Sequence, residues 1–118
     1  MVSIGVQTKG VVEDRDPKAG FELLKRVGFS NVDFSLNSYL LNTSLYRFEL
    51  NGFFDRTVTE LETFFRPHKE GAKAAGVKVH QMHMPYPLYI PGGKKEINDY
   101  LWNVVAPKSM EICAFFGC

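Results

Sequence analysis

Twice this chain writes the same punctuation: an amphipathic helical run, a glycine, and at once a short apolar run. "LLKRVGFSNVDFSL" passes through Gly28 and "GAKAAGVKVHQMHM" through Gly76. A glycine placed directly after a helix is the residue that takes the left-handed turn closing it. A strand that follows so soon is fed into a sheet beside the strand before the helix. Repetition of this unit predicts parallel pairing with helical crossovers. "EICAFFGC" repeats the helix–glycine signature at Gly117 and predicts a further strand beyond it.

The first strand is read in "VSIGVQT", which is β-branched and apolar. After the polar loop "KGVVEDRD", Asp16 is placed to cap a helix with Pro17 at its first position. Phe21, Leu24 and Val27 then give that helix a stripe, and "NVDFSL" is the second strand. Residues 37–56, "NSYLLNTSLYRFELNGFFDR", have no period and read as a long functional loop with a short helix inside. Thr57 and Glu60 form a capping box for a helix striped by Val58, Leu61, Phe65, Ala72 and Ala75, which Pro67 is expected to kink or divide. "VKVHQMHM" is the third strand and "PYPLYIPGGKK" an irregular loop. The third helix spans "EINDYLWNVVAPKSMEICAFFG", with Ile97, Leu101, Val104, Ile112 and Phe115 as its stripe and Pro107 interrupting it.

The order is β-α-β-α-β-α, an α/β fold of three β–α units with parallel strands. The strands are apolar at both parities, which predicts burial of both sheet faces. No GxGxxG follows the first strand and no GxxxxGK[ST] occurs, so dinucleotide and P-loop readings lose their support. Two architectures remain: a small open three-layer domain, or a partial (β/α)8 barrel, whose full length is about 250 residues. A three-stranded parallel sheet leaves two raw edges, and Gly117 points to another strand. Both observations favour the barrel, with residues 1–118 as its N-terminal part, truncated before strand four.

Composition narrows the function. The 118 residues are 45% hydrophobic and 14% aromatic, as in a globular domain. The net charge of +1, with interspersed signs, makes no electrostatic case for nucleic acid or an anionic membrane. No apolar run is long enough to span a bilayer, and no basic region precedes an apolar one at the N-terminus. Cys113 and Cys118 are too few for a disulfide framework or a zinc site, so a cytoplasmic protein with free thiols is expected, with Cys113 in core packing.

In a barrel the active groups sit at the C-terminal strand ends, here "QTKG", "DFSLNSY" and "HMPYP". His83 ends the third strand and is followed by Pro85, Tyr86 and Pro87, which stiffen the turn. It can ligate a metal, hold a sugar hydroxyl or move a proton, or be a buried ring satisfied by backbone. His80, three residues earlier, has the opposite parity and is expected to face the helices. His68 is expected at the surface or in packing. Asp33 lies inside an apolar strand, where a carboxylate is costly unless paired or functional. With Asn31 and Ser35 it makes one side of that strand polar, opposite Val32 and Phe34. Gln7 ends the first strand and can hydrogen-bond a polar substrate. Phe48, Phe53 and Phe54 can cover a sugar or staple the long loop down.

"IGVQT", "VGFSNVDFSL", "FFRPHKEGAKAAGVKVHQMHMPYP" and "NVVAPKSMEICAFFGC", in this order and spacing, resemble the sugar phosphate isomerase/epimerase family, the xylose isomerase-like (β/α)8 barrels. The resemblance covers essentially the whole chain but only the N-terminal portion of the family's barrel. It implies metal-assisted proton transfer next to a sugar carbonyl in the full barrel, with a divalent metal (Mn, Mg, Co or Zn) held by later strands. No catalytic residue and no metal ligand is carried over to these residues, so the chain alone is expected to be inactive and to hold no metal. Asp33 falls where many members have an acidic residue at the end of strand two, and His83 where relatives often show a His in an H-x-P-[YF] turn. His83, Asp33, Gln7 and Tyr86 are therefore the expected substrate-binding residues. A sugar or sugar phosphate is the expected ligand. A second copy, pairing through exposed strand edges, is the expected partner. Zinc-dependent apurinic endonucleases share the His turn and are the competing class, although the charge does not favour a phosphate groove. A non-catalytic α/β module that self-associates is the third reading.

Overall fold

A computed structural model describes residues 2–118. Three strands, β1 (Gly5–Gln7), β2 (Asn31–Ser35) and β3 (Lys78–His83), form one parallel sheet in the order β1-β2-β3. Helix α1 (Pro17–Arg26) connects β1 to β2, and α3 (Val58–Ala75) connects β2 to β3. A short helix, α2 (Asn42–Leu45), lies in the segment before α3, and α4 (Lys95–Tyr100) and α5 (Ala106–Phe116) follow β3. The α/β class and the parallel pairing are as the repeated helix–glycine–strand signature predicts.

The helix boundaries follow from local chemistry. The Asp16 carboxylate accepts from the Ala19 N–H at 3.2 Å and Pro17 opens α1. The Thr57–Glu60 capping box closes in both directions, at 2.8 Å and 3.2 Å. Gly28, Gly76 and Gly117 all have positive φ at helix ends. Helices α1 and α3 approach so closely that a Cβ on Gly71 would stand 3.0 Å from the Lys18 backbone.

Helices and core lie on one side of the sheet. Val32 and Phe34 of β2 are buried there, and the Phe34 ring meets Phe65 of α3 at 5.8 Å and Phe116 of α5 at 4.9 Å. Phe21 and Leu24 of α1, Leu61 of α3, Val79 of β3 and Ile112 of α5 complete this core. The opposite face carries Gly5, Gln7, Asn31, Asp33 and Gln81 and, among the described residues, has no helix over it. The expectation that both sheet faces are buried is therefore wrong. The polar side chains at one parity of β2 and β3 have no layer to pack against.

Other expectations are also corrected. Val27 is 61% exposed, because the helix ends at Arg26 and its exit carries Phe29 to the core in its place. The first strand is shorter than "VSIGVQT": Val2 and Ile4 are exposed, since β2 begins at Asn31, opposite Gly5. Pro67 does not divide α3, which runs unbroken. Pro67 sits on its exposed side, where the Thr63 carbonyl left without a donor is at an exposed residue. Pro107 does interrupt the last helix, and the break takes the form of a π-helical turn over Leu101–Val105. The long segment before α3 folds around a 3-10 turn at Leu36–Tyr39, α2, and a second 3-10 turn at Phe53–Asp55. Phe53 stacks on Tyr39 at 4.6 Å and Phe54 is buried, so these two staple the segment, whereas Phe48 remains 40% exposed at φ 59°. Among the described residues no helix is long and apolar enough to cross a membrane.

Candidate functional site

The uncovered face of the sheet forms a depression of about 460 Å³ lined by Gln7, Asn31, Asp33, His80 and Gln81, with Ser3 at its rim. Register builds it. Gln7 stands opposite Asp33, which stands opposite Gln81. The Gln81 side-chain amide donates to Asp33 Oδ2 at 3.1 Å. Asp33 Oδ1 is enclosed and finds no hydrogen-bond partner among the described residues. An enclosed carboxylate oxygen without a donor is destabilising, so this atom is where the face is chemically unsatisfied. Below it, the Asn31 amide reaches the Ser3 hydroxyl.

His80 corrects the parity argument. The β2–β3 register slips after Val32, so that Val32 pairs with Val79 while Asp33 pairs with Gln81. The extra residue is His80. A β-bulge places two successive residues on nearly the same side, and His80 and Gln81 both line the open face rather than His80 facing the helices. A strict two-residue period cannot reveal such a slip.

The C-terminal ends of the strands make a second polar group. The Thr8 N–H donates to the Asp33 carbonyl at 3.0 Å, and Thr8 Oγ1 accepts from the Ser35 N–H at 3.0 Å, tying β1 to β2 beyond the ladder. Ser35 stands opposite His83, whose ring meets Tyr86 edge-on at 5.5 Å. His83 is half-buried and Tyr86 47% exposed. The four expected site residues thus fall into two pairs: Gln7 with Asp33 in the depression, and His83 with Tyr86 at the end of β3. Gln81 and Thr8 join them without having been singled out by the sequence, and His80 joins them although its parity pointed to the helices.

Beside this mouth, a hollow of about 280 Å³ is lined by Thr8, Lys9, Asp14, Ser35, Ser38 and Tyr39. Asp14 holds it together. Its Oδ1 accepts from the Tyr39 hydroxyl at 2.6 Å and from His68 Nε2 at 2.8 Å. His68 is 2% exposed and lies among Phe34, Phe64 and Phe65. Burial lowers its pKa, with the Asp14 carboxylate acting in the opposite sense. Burial also carries the Tyr39 phenol well above its usual range, and the neighbouring Asp14 adds to this. A carboxylate oxygen only accepts, so the His68 ring donates to it. Among the described residues no three His, Cys, Asp or Glu side chains are grouped so as to hold a metal ion.

No family model, no curated protein and no solved structure matches this chain.

Proposed function

We propose that these three β–α units are a section of a sugar isomerase- or epimerase-like (β/α)8 barrel, with the uncovered face as interior lining that holds a sugar or sugar phosphate. The observation that carries the reading is the Asp33 carboxylate. It sits at the centre of a polar, helix-free sheet face with one oxygen bonded to Gln81 and the other lacking a donor. A sugar hydroxyl supplies the missing donor after a small side-chain rotation, and the Gln7 and Gln81 amides can each donate and accept towards neighbouring hydroxyls. His83 and Tyr86, at the C-terminal end of β3, stand where barrel enzymes place substrate contacts.

Proton transfer next to a carbonyl needs a base within hydrogen-bond reach and stabilisation of the enolate oxygen. The residues of this face supply binding and orientation, and the base and the metal belong to strands outside it. The unpaired edges of β1 and β3 are suited to a second copy that closes the face.

The test is a titration of the ¹⁵N-labelled chain with D-fructose and D-fructose 6-phosphate, with and without Mn²⁺. Saturable amide shifts centred on Gln7, Asp33, Gln81 and His83 are expected, weakened at least several-fold by Asp33→Asn. An unchanged spectrum at millimolar sugar, or shifts scattered over the helices, would overturn the reading.

A further inference from the structure

Cys113 and Cys118 are brought together by the way α5 ends. Gly117 takes a left-handed φ of 81°, and the Cys118 N–H donates back to the Cys113 carbonyl at 3.2 Å. The Gly117 N–H donates to the Ala114 carbonyl at 3.0 Å. This is the six-to-one and five-to-two pattern that closes a helix, and it places the side chains five residues apart against each other. At helix ends closed this way that contact is frequently hydrophobic. Here both positions are cysteine, and the two Sγ atoms stand 2.6 Å apart, with the Cys118 thiol also directed at the Cys113 carbonyl. Both thiols are free; Cys113 is half-buried and Cys118 exposed. The juxtaposition is set by backbone hydrogen bonds, so it does not depend on the reading of the sheet face.

We propose that Cys113 and Cys118 are a dithiol modification site that reacts with small-molecule disulfides of the glutathione class and closes to an intrachain disulfide stapling the end of α5. One cysteine thiolate attacks a sulfur of the disulfide, RSSR, forming a mixed disulfide and releasing RS⁻. The second cysteine, as thiolate, attacks the protein sulfur of that mixed disulfide and releases the second RS⁻. Two thiol protons and two electrons leave the protein, and RSSR becomes two RSH. The ring spans so few residues that it restrains the unfolded chain little. Its effect is local: it locks the helix end that carries Phe116, 4.9 Å from Phe34 and 5.9 Å from Phe65. Burial, with the adjacent Cys113, pushes the Cys118 thiol up to about 12, so the exchange is expected to quicken as the pH rises.

The experiment treats the folded chain with oxidised glutathione at mildly alkaline pH, then alkylates under denaturing conditions and measures mass. Expected are loss of two hydrogens, no alkylatable thiol and no retained glutathione, with the chain running as a single copy on a non-reducing denaturing gel. Cys113→Ser and Cys118→Ser should each stop at one retained glutathione. Amide exchange at Gly117 and Cys118 should slow at least several-fold on oxidation. Retention of two glutathiones by the unaltered chain, a covalent dimer as main product, or two thiols still alkylatable would each overturn the proposal. Peptide mapping of the unaltered chain reads the same result if a serine variant fails to fold.

Discussion

Asp14 takes two hydrogen bonds on a single oxygen, from Tyr39 and His68, whereas Asp33 has one bonded oxygen and one that is enclosed without a donor. Both carboxylates flank the same sheet. Asp14 joins three distant parts of the chain: the loop after β1, the 3-10 turn after β2, and α3. Asp33 joins only neighbouring strands. A carboxylate whose donors are supplied from within the fold stabilises the fold. One left partly unmet on an uncovered face is free to take its donor from something that binds.

The comparison can be broken by mutation. The largest effect is expected at Phe65, which is fully buried and walls the His68 ring. Phe65→Ala should cost about 3–5 kcal/mol in urea unfolding, and a loss below about 1 kcal/mol would mean the aromatic cage does not hold α3 to the sheet. Next is Asp14→Ala, which strands the buried His68 N–H and should cost about 1–3 kcal/mol by the same measurement. Asp33→Ala removes a destabilising oxygen that lacks a donor together with the hydrogen bond from Gln81, and these opposing effects should keep unfolding stability within about 0.5 kcal/mol of the parent. Equal costs at the two aspartates would erase the distinction.

A pH series sharpens it. Burial keeps the folded-state pKa of His68 below its ordinary value of 6.5. Below that value the unfolded chain binds a proton that the folded chain does not. The stability this group contributes is therefore present above pH 6.5 and lost as the pH falls towards the lowered folded value. The urea midpoint should decline over that acid range, and His68→Leu should flatten the decline. An unchanged slope in His68→Leu would show that other groups set the acid limb.

Much of the fold was legible because its signals are local. Asp16 before Pro17, Thr57 before Glu60, and glycines at 28, 76 and 117 each satisfy or terminate backbone within a few residues. The polar parity of Asn31 and Asp33 was likewise readable, and with it half of the candidate site. Pro107 announced an interruption but not its π-helical form. Val27 followed the helical period yet ended exposed, because period alone does not say where a helix stops.

The sequence by itself determined three β–α units, their parallel order and the polarity of one face of β2, since spacing and caps act over a single turn or pleat. Only the tertiary structure decided that no helix covers that face and that a register slip turns His80 onto it. It alone brought residues 14, 39 and 68 to one carboxylate oxygen. Those outcomes depend on which strand ends meet and how helices stack, and such long-range choices have no counterpart in the period or capping of any one segment.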